Sequence, residues 1–265
     1  MIVDSHCHLD FPQFAEDLPG VIARAEAAGV GRMVTISTRV AKYDTYRALA
    51  ESDPRIFFSA GTHPHNAGEE PDVPASELVR LSQHPRCIAI GEAGLDYHYD
   101  KSPRDVQRRV FRTHITAARE TGLPLVIHAR EADEEMIDIL IDEFRKGSYK
   151  AVLHCFSSGE KLAMTGVELG FAVSFSGIVT FKRSEELRDI ARKIPRDRLL
   201  VETDAPYLAP QPVRGKTNEP AYTAHTLRIL AEALDMPAAE LEDVTTRNFY
   251  RLFAKAALAD GVAGA

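Results

Sequence analysis

Tryptophan is absent from this sequence and cysteine occurs only three times. No stretch approaches the roughly 20 apolar residues that a membrane-spanning helix requires, so no membrane partner is expected. Cys7, Cys87 and Cys155 are odd in number and widely spaced. That pattern favours buried thiols in a reducing compartment over a disulfide framework. The opening MIVDSHCHLD has neither a basic segment nor an apolar one, so no secretory leader is expected and the chain reads as cytoplasmic. Positive charge is in deficit: 32 Lys and Arg stand against 39 Asp and Glu, a formal net charge of −7. No global basic field exists to gather nucleic acid, and a polyanionic substrate would need local cations, either side chains or metal ions. No GxGxxG follows the first predicted strand, and no GxSxG or Ser-His-Asp arrangement supplies a nucleophile.

What the chain has is a core and a rhythm. Hydrophobic residues make up 45% of its 265 positions, ample for a sizeable interior. Short β-branched runs predict strands at 2–6, 32–37, 56–61, 87–92, 123–128, 151–154, 171–175 and 199–203. Helical periodicity falls between them, at 18–28, 41–52, 76–83, 104–121, 131–145, 159–168 and 185–193. Glycines follow several of these segments (Gly29, Gly122, Gly147 and Gly170), as helix C-termini favour. The tail predicts two further helices, 221–234 and 238–257, while 205–220, rich in proline and charge, reads as a long loop. Eight βα units in one domain predict a single (β/α)8 TIM barrel with additional C-terminal helices; a doubly wound open sheet is the alternative.

The chemistry lies in where the polar residues fall. His6 and His8 close the first predicted strand, His63 follows the third and Glu92 ends the fourth. His128 ends the fifth, His154 the sixth, and Glu202 and Asp204 finish the eighth. On a strand, residues i and i+2 share a face, so His6 and His8 converge while Cys7 turns away. Cys155, next to His154, is expected to turn away likewise. In a parallel barrel every strand C-terminus lies at one mouth, so residues two hundred positions apart converge there. Imidazoles and carboxylates around one pocket suit divalent Zn, Mn, Mg or Fe. A carboxylate such as Glu92 has two oxygens and could bridge two ions, which clamp a phosphoryl group and acidify a water. Glu202 shares the alternation of Asp204 but suits a supporting place behind the ligands. His65 and His98 are weaker candidates, and His84, His114 and His225 read as packing or surface residues.

The sequence resembles the TatD-type metal-dependent deoxyribonucleases of the amidohydrolase superfamily. The markers are DSHCHLDF, GTHPH, AIGEAGLDYHYD, QRRVFRTHITAARETGLPLVIHARE, LHCFSS, LLVETDAPYLAP, RGKTNEPAYT and TTRNFYRLF, in that order from first strand to last helix. The resemblance implies a TIM barrel with two divalent ions. His6, His8 and Asp204 match ligands of one ion, His128 and His154 those of the second, and Glu92 the bridging acid. It also implies DNA as substrate, cleaved at phosphodiester bonds in the 3′-to-5′ direction. His98 departs from the family pattern, where a bulky aromatic is common.

The expected chemistry is hydrolysis by a metal-activated water, with Asp204 as general base and His63 protonating or orienting the leaving oxygen. Arg130, Lys182 and Arg183 are expected in loops at the mouth, where they could hold flanking phosphates. No obligate protein partner is evident. One alternative is a metal-dependent hydrolase of a small ester, amide, lactone or phosphoester, because the fold supports many chemistries. Another is a non-catalytic binding barrel, which the acidic balance and the lack of a basic, aromatic-interleaved tract argue against.

Overall fold

The structure is a computed structural model, which describes residues 1–262. Eight parallel strands form one sheet in sequence order. They are β1 (Ile2–Cys7), β2 (Val30–Thr35), β3 (Ile56–Ala60), β4 (Cys87–Asp96), β5 (Leu125–Arg130), β6 (Ala151–Leu153), β7 (Ala172–Phe175) and β8 (Leu199–Val201). The crossovers carry α1 (Leu18–Ala27), α2 (Tyr43–Ser52), α3 (Ala75–Leu81), α4 (Arg104–Thr121), α5 (Asp133–Lys146), α6 (Glu160–Glu168) and α7 (Glu185–Lys193). After β8 come α8 (Thr223–Ala233), α9 (Ala238–Leu252) and α10 (Ala254–Ala259). The predicted βα rhythm is therefore a barrel with helices added at its C-terminal end. No helix of the described residues is long and apolar enough to cross a membrane.

Closure and the site are one event. The chain leaving β8 meets β1 through a parallel bridge between Cys7 and Ala205. The Asp204 N–H donates to the His6 carbonyl at 2.9 Å, and the His8 N–H to the Ala205 carbonyl at 2.8 Å. The bonds that shut the barrel thus seat Asp204 beside His6 and His8.

Two apolar layers hold the barrel up. Val3, Val34, Phe57, Ile88, Val126, Val152, Ala172 and Leu200 form one buried cluster. One residue from each strand can meet the other seven only in the lumen. Phe249, Tyr250 and Phe253 of the tail join that cluster and plug the end opposite the strand C-termini. Each fully buried Phe there contributes about 1.5–3 kcal/mol. The alternate strand faces pack outward on α1–α8 in the second layer.

The helices follow from their sequences. In α4, Gln107, Val110, Phe111, His114, Ile115 and Ala118 recur at three- and four-residue spacing on the buried face. Gly122 ends α4 in a left-handed conformation, φ 69°, with its N–H on the Ala118 carbonyl. In α7, Glu185 and Glu186 occupy the first turn and Arg192 and Lys193 the last, matching the helix dipole.

Three sequence expectations are corrected. The predicted helix 238–257 is two helices, because Phe253 leaves helical geometry at φ −94°, ψ 62°. Its ring thereby reaches Phe249, 4.8 Å away, in the barrel plug. The fourth strand does not end at Glu92 but runs on to Asp96, with a register shift against β5 between Ile90 and Ala93. Glu92 sits in that irregularity, which re-aims its side chain into the mouth. Finally, Cys155 does not turn away. β6 stops at Leu153, so strand alternation no longer applies, and Cys155 takes φ 42° and lines a cleft at the mouth.

Candidate metal centre

Each functional side chain leaves the barrel at or just beyond a strand end. His6 is in β1 and His8 follows it; Glu92 and Asp96 are in β4, and His128 is in β5. His154 follows β6, and Glu202 and Asp204 follow β8. Close approach of β4 and β5 depends on Gly94, paired with His128: a Cβ there would lie 1.9 Å from the His128 carbonyl oxygen. Only glycine lets the two strands bring Glu92 and His128 together.

Glu92 is the hub and is buried. Its Oε1 lies 2.6 Å from His154 Nε2, 2.9 Å from His128 Nδ1 and 3.4 Å from His63 Nε2. Its Oε2 faces His6 Nε2 at 3.4 Å and has no hydrogen-bond partner. On the other flank, Asp204 Oδ1 is 3.5 Å from His6 Nε2 and 3.4 Å from His8 Nε2, and those two nitrogens are 3.3 Å apart. The ligand atoms of His6, His8 and Glu92 all lie within 4.8 Å of one another, and so do those of His63, Glu92 and His128. The six predicted ligands are thus brought to one place, in two groups that meet at Glu92.

The outer nitrogens decide what the inner ones can do. His8 Nδ1 faces the Ile36 carbonyl at 3.3 Å and His154 Nδ1 faces Glu202 at 3.3 Å. His128 Nε2 faces Asp96 Oδ2 at 2.9 Å, which also takes His65 Nε2 at 2.8 Å. Oxygens without protons accept only, so the outer N–H donates and the inner nitrogen presents a lone pair to a cation. His63 is the reverse case. The His65 backbone N–H donates to His63 Nδ1 at 3.0 Å, which places the proton of the neutral ring on Nε2, aimed at Glu92. His63 therefore presents a proton to the pocket, not a lone pair.

Charge agrees with this division. Burial works to raise Glu92, but the imidazoles of His154, His63 and His6 and the bond from His128 outweigh it and hold it well below its ordinary value. Burial likewise opposes ionisation of Asp204, and the hydrogen bond from His8 with the His6 field holds it low. Burial would discharge His154, yet Glu92 and Glu202 drive it well above the ordinary imidazole value. His128 is raised by Asp96 and Glu92 against burial. His63 is lowered to about 4 by burial, so it is neutral near pH 7.

A divalent metal fits this donor set. A buried carboxylate oxygen without a donor, set among imidazole nitrogens packed 3.3–3.4 Å apart, is a place that suits a cation. Such an ion would displace protons that His154 and His128 otherwise hold against Glu92.

Two clefts open from this centre, of about 890 and 930 Å³, and share His128, His154, Arg130 and Asp204. Arg130 lines both and Arg183 the second, while Lys182 is exposed and lines neither. His98 points instead at Glu131, 2.6 Å away. His65 and Asp96 carry more of the site than their sequence context suggests. The cysteines are all free, and burial pushes Cys155 above its ordinary thiol value, so it supplies no thiolate nucleophile.

Comparison with known proteins gives a consistent result. The family model described as "TatD related DNase" matches residues 3–254. The chain is 39% identical over 253 residues to an uncharacterized metal-dependent hydrolase, YabD, of Bacillus subtilis, covering 96% of this chain and 99% of that one. It is 37% identical over 256 residues to a protein of Erwinia tasmaniensis named 3′-5′ ssDNA/RNA exonuclease TatD, covering 94% and 98%. The crystal structure of YjjV, a TatD homologue of Escherichia coli, superposes with a TM-score of 0.88 at 30% identity, covering 96% and 98%.

Proposed function

The chain belongs to the TatD family of metal-dependent hydrolases, and on that premise we propose that it is a two-ion phosphodiesterase that removes nucleotides from the 3′ end of DNA. The observation that supports this reading most is the placement of Glu92, whose two oxygens face two different sets of imidazoles. His6, His8 and Asp204 would hold one divalent ion, His128 and His154 the other, with Glu92 shared. Zn, Mn, Mg and Fe all accept this mixture of imidazole and carboxylate. When bound, the ions supply positive charge to the phosphoryl oxygens and lower the pKa of a water.

The remaining work belongs to the side chains. Asp204, ionised and partly open to the cleft, accepts the proton of the attacking water. His63 presents Nε2–H from a neutral ring and hydrogen-bonds the departing deoxyribose oxygen, orienting it and stabilising the negative charge it develops, while water supplies the proton that the oxygen finally takes. Arg130 and Arg183 stand at the clefts to hold the phosphates that flank the cut. The relative named an exonuclease is the comparison that favours a nucleic acid over a small ester, amide or lactone.

The test is reconstitution. Protein stripped with EDTA should be inert on a labelled single-stranded oligonucleotide. Addition of one of the four metals should restore stepwise loss from the 3′ end. Inactivity with every ion, alongside turnover of small carboxylic esters or lactones, would refute the assignment.

A further inference from the structure

The cleft that holds the centre has two walls of different chemistry. Among the described residues, five large hydrophobic or aromatic side chains are exposed, and two of them, Tyr99 at 53% and Tyr207 at 52%, line this one cleft. Tyr99 is covered by cations: the Arg130 guanidinium lies 4.9 Å and the Lys101 ammonium 5.6 Å from its ring centroid. Among the described residues neither cation has a carboxylate within 4.0 Å. Arg39 and Lys42, in the same cleft, are neutralised by Glu69 and Asp10 at 2.7 and 3.3 Å. Arg130 and Lys101 thus keep their charge for an anion.

Tyr207 is the opposite case. No cation covers its ring among the described residues, and its one aromatic neighbour, Phe11, meets it edge-on at 5.8 Å and 85°. Phe11 in turn stacks on His8 at 4.8 Å and 25°, so the aromatic row runs directly into the metal ligands. The ring stands on a rigid turn. The Tyr207 N–H donates to the Asp204 carbonyl at 3.0 Å, and the buried Asn218 Nδ2 donates to the carbonyls of Tyr207 and Thr203 at 2.6 and 2.9 Å. Tyr207 therefore holds an uncovered aromatic face three residues from Asp204, on a turn that Asn218 ties down, open to a flat partner entering the cleft. Nucleobases are such partners, and they stack on aromatic side chains without regard to sequence.

We propose that Tyr207, backed by Phe11, is the stacking platform for the base of the terminal nucleotide, with Arg130 and Lys101 on the facing wall holding the backbone phosphate. This rests on the nucleic-acid reading above and deepens it. The platform takes the face of the terminal base, whichever base it carries.

The test uses the metal-loaded full chain and two 5′-labelled single strands, one ending in adenosine and one of equal length ending in an abasic nucleotide. Wild-type protein should prefer the adenosine end in kcat/KM. Tyr207→Ala should cut the ratio between the two ends about 10-fold, as loss of one base–aromatic stack predicts. Tyr207→Phe, which keeps the ring, should hold the ratio within about twofold. An active Tyr207→Ala enzyme whose ratio matches wild type, or that loses equally on both strands, overturns the platform and leaves the nuclease assignment standing. A wild-type enzyme inert on both strands with every ion overturns the nucleic-acid reading and the platform with it.

Discussion

Replacing Asp96 by Asn is the substitution whose consequence the geometry defines most closely. Asp96 Oδ2 accepts from His128 Nε2 at 2.9 Å and from His65 Nε2 at 2.8 Å, while Oδ1 accepts the Tyr99 N–H at 2.8 Å. The side chain is buried. An asparagine has one acceptor where the carboxylate has two. With its amide nitrogen at the Oδ2 position, it faces two N–H donors, and His128 must move its proton to Nδ1. That is the atom 2.9 Å from Glu92 Oε1, and its lone pair is then lost to a metal. With its amide nitrogen at the Oδ1 position, it faces the Tyr99 N–H instead, and the loop at His98–Tyr99 loses its anchor. Loss of a partner that orients a ligating histidine typically costs 10–100-fold in metal affinity, which is about 1.4–2.8 kcal/mol. Calorimetric titration of Mn or Zn into Asp96→Asn should show one binding event weakened by that factor. The event assigned to His6, His8 and Asp204 should be retained. Isotherms that superpose on the wild type, with the His98–Tyr99 loop no more open to proteolysis than before, would refute the role given to Asp96 and the Nδ1 ligation of His128.

Further outcomes follow from other contacts. Gly94→Ala puts a Cβ 1.9 Å from the His128 carbonyl oxygen at φ +154°, so denaturant unfolding should show a loss of about 3 kcal/mol from clash and strain together; a loss under about 1 kcal/mol would contradict the close β4–β5 approach. His114 is buried, accepts the Thr62 N–H at 2.9 Å and is lowered to about 4 by burial. Its stabilising contribution is therefore complete above the unfolded pKa near 6.5 and is lost as pH falls toward 4. At pH 5 the loss is about 2 kcal/mol, and His114→Gln should flatten the pH dependence of stability over that window by about one proton. His63→Gln should lower kcat on strands by about 10² or more, and far less on an ester with a nitrophenolate leaving group that departs without a proton. Equal losses on both would remove His63 as the donor.

The barrel was legible because two periodicities alternate cleanly along the chain, and because α4 and α7 carry their own end signals at Gly122 and in the Glu185-to-Lys193 charge gradient. The ligand candidates were legible for a related reason: a histidine or acid that ends an apolar strand can go only to the barrel mouth. What escaped notice depended on local departures from regularity. Glu92, Gly94 and Asp96 share a strand face, but Asp96 is placed near His128 only if β4 continues past Glu92. The continuation relies on a backbone irregularity and on a glycine whose reason is the neighbouring strand. Alternation misplaced Cys155 because β6 is only three residues long. The stretch 238–257 reads as one helix because nothing in its periodicity signals that Phe253 gains more in the barrel plug than in continuing the helix. Asn218 holds the turn of Asp204 and Tyr207 from a loop whose proline-rich composition showed no such role.

Anomalous diffraction from crystals grown with Mn tests the central claim most directly. The account predicts two peaks at the strand C-termini, one on His6, His8 and Asp204 and one on His128 and His154, with a Glu92 oxygen on each. Crystals saturated with Mn that show no peak at Glu92, or show the metal held by other residues, would contradict it.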